Sequence, residues 1–552
     1  MPADPVVFWA GAAIVMAVVV WGAVSKESLN TTATTSLDWT IRTFGWLFVI
    51  AADLFVILAV FLALSRFGRI RLGSDDDEPE FTTLAWVAMM FSAGMGIGLM
   101  FFGVAEPLTH FAEPPPQAHV EPQSEDAART AMETTYFHWA LHPWAIYAVV
   151  GLALAYATFR KHRGNRVSAA FVPLIGEARA NGGWGRAIDL LAIFATVFGS
   201  ATSLGLGALQ MAAGLELVTP LEAGRSLELT IIAALTAAFV VSAVSGVHRG
   251  VKWLSTINLL LAAFLLAFVF LVGPTIYILD VLPASVGGYL FGLIPMSSAT
   301  GAFTDPSWLG TWTIFYWAWW LSWAPFVGTF IARISRGRTV RQFIVGVLLI
   351  PSGVSAVWFA ILGGGALRLQ ATGEANLVGK LDDGQEAALF GLLDALPWYV
   401  LTAAVAIILV ALYFVSGADA ASLVLGSLSS QGSLKPNKWL VVTWGALIGA
   451  VAAVLLVAGG LEALQQATIL VALPFVLVMI ALCWSLVTEL REDPGAGPAR
   501  HVHPLHGLRD AIRATVGEVL EEEGVTKPRG RLRRMPRRSG RQKSDGDELP
   551  PE

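Results

Sequence analysis

Stretches of about 20 apolar residues, the length that crosses the hydrocarbon of a bilayer, recur along this chain from its first residues to position 487. Twelve can be counted, near 6–24, 45–64, 84–104, 136–158, 187–217, 229–245, 253–279, 309–332, 343–367, 398–422, 439–458 and 463–487. Within lipid each segment has to satisfy its own backbone amides and carbonyls, so a chain of such segments is expected to be all α-helical. Composition supports this: 55% of residues are hydrophobic and 14% charged, and the mean hydropathy is +0.64. The expected class is an all-α polytopic membrane protein with twelve transmembrane helices.

Bases in the short loops set the expected orientation, because Lys and Arg accumulate on the cytoplasmic side. One set of alternate loops carries Arg66, Arg69 and Arg71; Arg160, Lys161, Arg163 and Arg166; Arg249 and Lys252; Arg333, Arg336, Arg338 and Arg341; and Lys435 and Lys438. The other set is acidic, as in 106–133 and 374–386. Both termini are therefore expected in the cytoplasm of a cell (plasma or inner) membrane protein. No basic leader precedes Val6, so the N-terminus reads as the first span rather than a signal peptide. After the last span, 501–523 has the pattern of a short amphipathic helix. It is followed by nine bases without an acid: Lys527, Arg529, Arg531, Arg533, Arg534, Arg537, Arg538, Arg541 and Lys543. Such a run is either a solvated tail or a regulatory segment drawn to anionic lipid. Nothing but its charge would support nucleic-acid binding.

Four places depart from plain apolar helix. The run 92–103, Ser-Ala-Gly-Met-Gly-Ile-Gly-Leu-Met-Phe-Phe-Gly, holds glycines Gly94, Gly96, Gly98 and Gly103, each costing roughly 1 kcal/mol in a helix interior. It reads either as tight helix packing or as an unwound stretch whose backbone meets an ion or solute, and Glu106-Pro107 is expected to end that span. The fourth window carries Trp139, Trp144 and Tyr147 around Pro143, with His138 and His142 one helical turn apart. The eighth, 315–326, places Trp317, Trp319, Trp320 and Trp323 too densely for all to face lipid. No Asp or Glu falls within the apolar stretches of spans three, four and eight. A cage of aromatic faces attracts a quaternary ammonium without one, through the ring quadrupoles. In the tenth window Asp419 follows Ser416 and Gly417, and reads either as an intramembrane site or as a helix cap. Cys483 reads as a small apolar filler. No histidine or cysteine spacing defines a metal centre, and no nucleophile–base pair is evident, so neither an enzyme nor a cofactor is expected.

The residues 94–98, the cluster from Trp139 to Tyr147, and the run 317–323 with Arg333-Ile334-Ser335-Arg336-Gly337-Arg338 behind it resemble the signatures of the betaine/choline/carnitine transporter family, most of all its sodium-coupled glycine-betaine symporters. The resemblance runs through all twelve windows. It implies a LeuT-like fold: two extra N-terminal helices (1–83), two five-helix repeats of inverted topology (84–282 and 283–490), a cytoplasmic basic tail (491–552), and three such chains in the assembly. It places an aromatic box on Trp139, Trp144, Tyr147 and Trp320, with Trp323 and Phe315 along the route and the backbone of Gly94, Met95, Gly96, Ile97 and Gly98 against the solute. One sodium site would use Ser92, Met95, Tyr413, Ser416 and Gly417, and a second Thr196, Ser200 and the ring of Phe326.

The expected function is sodium-driven import of a zwitterionic compatible solute, glycine betaine first. Position 417 departs from the family pattern, in which Thr-Ser usually occupies 416–417, so one hydroxyl ligand is missing. A sodium-independent or proton-coupled carrier or exchanger of betaine, choline, carnitine or ectoine is the alternative. Against sodium independence, no Lys or Arg lies between Arg186 and Arg225 to serve as a fixed cation. Gly98, where choline carriers can hold an acid, favours a zwitterion. A transceptor that senses its solute is the rival from another class.

Overall fold

The computed structural model describes residues 4–94, 96–245, 248–303, 306–433 and 435–497. Met95 and the whole basic run, including Lys527, Arg529, Arg531, Arg533, Arg534, Arg537 and Arg538, lie outside the described residues, as does 501–523. Those described are helical and loop, with one isolated antiparallel bridge between Arg71 and Thr339. Nine of their helices are long and apolar enough to cross a membrane.

The chain opens with α1 (Pro5–Val24), which Asp4 starts by accepting the amides of Val6 and Val7, with Pro5 at the first position where no amide is needed. Then come α2 (Lys26–Leu64), α3 (Thr83–Gly94), α4 (Ile97–Ala112), α5 (Glu125–Trp139) and α6 (Leu141–Ala155), the last closing in a π turn over Tyr156–Arg160. Next are α7 (Gly183–Val218), α8 (Arg225–Ser245), α9 (His248–Val272) and α10 (Thr275–Ser297). A lead-in over Pro306–Leu309 and a π turn over Gly310–Ile314 run into α11 (Phe315–Ile334). A capping box of Thr339 and Gln342 starts α12 (Val340–Phe359); α13 (Tyr399–Leu428) and α14 (Lys438–Arg491) complete the set. The interior lies where α6, α7, α11 and α14 pack on one another.

The breaks differ from those expected. The third window is interrupted between Gly94 and Ile97, but Glu106-Pro107 does not end it: α4 continues to Ala112 with Glu106 fully buried. The fourth window is broken at Ala140 (φ −100°, ψ −107°), so His138 and His142 belong to different helices. Pro143 sits in the first turn of α6, where its missing amide costs nothing. The seventh window crosses a true helix end at Gly273-Pro274, since a residue before proline is pushed out of helical conformation. The last two windows are legs of α14 separated at Gly459 and Gly460, where φ reaches +64° at the second glycine, a left-handed conformation that costs glycine least.

At the end of the molecule where α2 ends and α3 begins, loops from distant parts of the chain are tied together. Leu72 N donates to Arg338 O (2.8 Å) and Gly337 N to Leu72 O (2.9 Å). The buried Arg338 guanidinium lies 4.2 Å above the Trp86 ring, whose indole N–H donates to Ser335 Oγ at 2.9 Å. Asp493, two residues past α14, is bound by Tyr156 Oη (2.5 Å), Arg160 Nε (2.9 Å), Arg160 Nη2 (2.8 Å) and Gly495 N (2.7 Å). Burial alone would raise the Asp493 pKa, but the hydrogen bonds from Arg160 and Tyr156 hold it below the usual aspartate range. A depressed folded-state pKa means that the clamp's contribution is complete above the unfolded aspartate value of about 3.9 and fades only as pH falls through the lower folded value. Asp493→Asn removes the charge at every pH and should speed tryptic cleavage after Arg491 severalfold at pH 7. Equal cleavage rates in both proteins would show that Asp493 does not hold this segment.

Candidate functional site

The break at Ala140 and the tryptophan-dense start of α11 meet in the interior. Trp139, the last residue of α5, lies 4.9 Å from Trp320 (interplanar angle 71°); Trp320 lies 6.3 Å from Tyr147 (80°); and Tyr147 lies 5.6 Å from Trp144 (82°). The four rings expected from the sequence thus form one edge-to-face chain, each 2–5% exposed. Trp320 is fixed from both sides: it stacks on Trp319 (4.9 Å, 14°), and its indole N–H donates to His138 O at 3.0 Å. Phe315 is fully buried and stacks on Trp319 (5.5 Å, 19°), while Trp323 reaches Phe326 at 5.5 Å. Gly98 is required by this packing, since a Cβ there would stand 2.7 Å from Trp319 Cη2 and 3.0 Å from Trp139 Cη2. Gly96 and Ile97 flank it at the start of α4, with Ile97 buried against Gly207.

The cage has an acidic partner that the apolar pattern of the spans does not reveal. Glu106 Oε2 accepts from Trp139 Nε1 (2.6 Å) and Tyr316 Oη (2.5 Å), and Oε1 lies 2.7 Å from His138 Nδ1. All four side chains are buried. A carboxylate charge thus lies directly behind one cage wall, bonded to the indole that forms it.

The residues expected to hold sodium fall into two groups. Tyr413, Ser416 and Gly417 lie on α13; the Ser416 hydroxyl donates to Tyr413 O (3.3 Å) and accepts from Asn258 Nδ2 (3.3 Å). Asn258 Oδ1 is buried without a hydrogen-bond partner, and a Cβ on Gly417 would meet nothing within 4 Å. Ser422 is turned back onto its own helix at Ala418 O (2.6 Å). Asp419 does not cap a turn but sits inside α13, accepting from Ser242 Oγ at 3.2 Å. The Ser92 side chain and Met95 lie outside the described residues. In the second group Thr196 Oγ1 donates to Ala192 O (2.8 Å), Ser200 Oγ is buried without a partner, and Phe326 is buried on α11. Gly199 brings α7 and α11 together there, its Cβ position 2.8 Å from atoms of Ser322 and Trp323.

A family model described as the betaine/carnitine/choline family transporter matches residues 6–495. The chain belongs to the betaine/carnitine/choline transporter family. Among its relatives in that family, the glycine betaine transporter OpuD of Bacillus subtilis is 44% identical over 490 residues, covering 88% of this chain and 94% of the relative. The betaine/ectoine transporter LcoP of Corynebacterium glutamicum is 40% identical over 527 residues (94% and 82%). The ectoine/hydroxyectoine transporter of Virgibacillus pantothenticus is 40% identical over 486 residues (88% and 96%). Membership of this transporter family, with several apolar helices, makes the chain a multi-pass membrane protein and not an enzyme.

Sequence reasoning does not find Tyr316, Asn258 or the burial of Glu106 against Trp139 beside the candidate residues, and reads Trp319 only as one of four tryptophans too dense to face lipid. Glu106 stands four residues before His110, on one helical face, and Asn258 is an amide in an otherwise apolar run; both are signals. His142 Nε2 lies 3.0 Å from Asp53 Oδ1 on α2, its Nδ1 is buried without a hydrogen-bond partner, and the ring stacks on Trp317 (4.7 Å, 23°).

Proposed function

We propose that this chain imports a zwitterionic quaternary-ammonium compatible solute, glycine betaine first, coupled to sodium. The observation that carries the solute class is the buried ring chain Trp144–Tyr147–Trp320–Trp139, because a trimethylammonium group offers no hydrogen-bond donor and gains about 2 kcal/mol or more from a desolvated aromatic face. The names of the relatives include betaine, a quaternary ammonium, beside ectoine, a zwitterionic compatible solute without one, and so support the zwitterion most broadly. The reading includes twelve spans in two inverted five-helix repeats, 84–282 and 283–490, after two extra helices, with both termini cytoplasmic. It also includes a homotrimer and a basic tail that meets anionic lipid.

Sodium is supported by chemistry. A hard cation wants several oxygens, and Ser200 Oγ and Asn258 Oδ1 are buried oxygens with no hydrogen-bond partner, one in each candidate group. Asn258 is tied through its amide N–H to Ser416, next to position 417, which has no hydroxyl, and carries its unpartnered oxygen on the same amide. Gly417→Ser adds a ligand in open space. It should lower the sodium concentration for half-maximal uptake by up to about 10-fold, roughly the value of one added charge-assisted bond; an unchanged sodium dependence would place the ion elsewhere.

The test of the function is uptake of labelled glycine betaine into proteoliposomes under an inward sodium gradient, repeated with potassium in its place. Uptake that needs sodium supports the reading. Uptake indifferent to sodium would favour a proton-coupled carrier or an exchanger, and binding without counterflow would favour a sensor.

A further inference from the structure

Beside the cage, but not part of it, lies a second constellation. Glu106 and His110, one turn apart on α4, meet His138 near the end of α5, and their ligating atoms all lie within 4.8 Å of one another. Both ring nitrogens of His110 are buried without a hydrogen bond, and its Nε2 is 3.5 Å from Glu106 Oε1. The ring is held by Trp312 at 4.5 Å and Trp308 at 5.5 Å. A buried imidazole with neither nitrogen bonded leaves its donor and acceptor capacity unused.

We propose that Glu106, His110 and His138 form a site for a divalent transition-metal ion of the zinc or cobalt type, and that filling it weakens solute binding in the cage. Ligands about 2 Å from a tetrahedral ion stand about 3.3 Å from one another, and the two distances from Glu106 Oε1, 2.7 Å to His138 Nδ1 and 3.5 Å to His110 Nε2, bracket that spacing. Two imidazoles and a carboxylate suit such an ion better than sodium, which is held by oxygen. The outer shell is in place. His138 Nε2 lies 3.0 Å from Thr313 Oγ1, so that with Nδ1 on the metal the Nε2–H donates to that hydroxyl, and the second oxygen of Glu106 is held by Trp139 and Tyr316. Binding takes the proton off Nδ1 and leaves the single proton of the neutral ring on Nε2, so His138 changes tautomer with no net proton released, and the Thr313 hydroxyl turns from donor to acceptor.

Coupling to the cage follows from the same bonds, and this half rests on the reading of the cage as the solute site. Glu106 orients Trp139 through its indole N–H, and His138 holds Trp320 through its backbone carbonyl. Drawing Glu106 and His138 toward an ion shifts the supports of two cage walls together.

The probe is Co2+ added alone to the purified protein. The expected result is one equivalent of tetrahedral ligand-field bands in the visible, removed by excess Zn2+. His110→Ala should weaken cobalt binding by more than the about 10- to 100-fold that loss of an outer-shell partner costs. Absence of bands in the unaltered protein overturns the site, and equal bands in His110→Ala overturn it as well, assigning the metal to other histidines. With cobalt bound, the half-saturating betaine concentration should rise in the unaltered protein and stay unchanged in His110→Ala; an unchanged value in the unaltered protein overturns the coupling. If Trp320→Ala leaves betaine uptake intact while the bands persist, the reading of the cage has failed and the metal site has not.

Discussion

Replacing Trp320 by alanine should raise the half-saturating glycine betaine concentration by at least about 30-fold, the equivalent of the roughly 2 kcal/mol that one desolvated aromatic face contributes to a bound cation. Trp320 sits at the middle of the ring chain, in edge contact with Trp139 on one side and Tyr147 on the other. Its loss opens the cage from the centre rather than at a rim. It also removes the stack on Trp319 and the bond to His138 O, so two variants are needed to separate the effects. Trp320→Phe keeps a ring face and loses the N–H donor. Its half-saturating concentration should fall between those of the unaltered protein and Trp320→Ala. Saturation curves for the three proteins, with thermal unfolding measured alongside, decide it. An alanine variant that melts normally and still takes up betaine at the same half-saturation would remove the cage from the mechanism.

Glu106→Gln should lower the melting temperature and weaken betaine binding together, although Glu106 forms no wall of the cage. The carboxylate lies at hydrogen-bond distance from three donors: Trp139 Nε1, Tyr316 Oη and His138 Nδ1. Glutamine offers one oxygen and an NH2 group that cannot accept: with the NH2 toward Trp139 the buried indole N–H faces another donor, and with the NH2 toward His138 the imidazole has to take the tautomer that accepts at Nδ1 and donates from Nε2 to Thr313. An unsatisfied buried group costs about 1–3 kcal/mol, and in the other orientation the bonds to Trp139 and Tyr316 lose the charge assistance that makes them roughly twice as strong as neutral ones. The damage is transmitted through Trp139, so betaine affinity falls with stability. A Glu106→Gln protein with the original melting temperature and half-saturation would show that the buried carboxylate is dispensable.

Much of this arrangement is legible in the amino-acid sequence. Aromatic residues in excess of what a lipid interface can use mark the fourth and eighth windows as places where rings face inward, and the resemblance to the family picks Trp139, Trp144, Tyr147 and Trp320 among them. Thr196 and Ser200 share a helical face, a pattern that alone says little because such hydroxyls bond back to their own helix, as Thr196 does, and only the resemblance singles them out. The misreadings have one physical source, which is that hydropathy sees where a chain is apolar but not where its helices stop. The window 253–279 is continuous in hydropathy while Pro274 ends the helix, and the legs of α14 are separated by glycines that carry no polar signal. Glu106-Pro107 fails in the opposite sense. Proline after an acid reads as a helix end, yet the helix tolerates Pro107 and buries the acid, because indole, phenol and imidazole groups from other parts of the chain converge on it. No local pattern encodes a convergence of residues 106, 138, 139 and 316.

The break at Ala140 places Trp139 on one rigid rod and Trp144 and Tyr147 on another. The cage width is therefore set by the angle between two rods as much as by any side-chain rotamer. A small rotation about Ala140 swings whole indole walls apart without turning a ring inside the packed interior, where rotation would meet Trp319 and Phe359. On the proposal that the solute sits in this cage, it bridges the two rods and acts as a strut that fixes their angle. Affinity and the angle at Ala140 are then one variable, and opening the joint is the same event as releasing the solute.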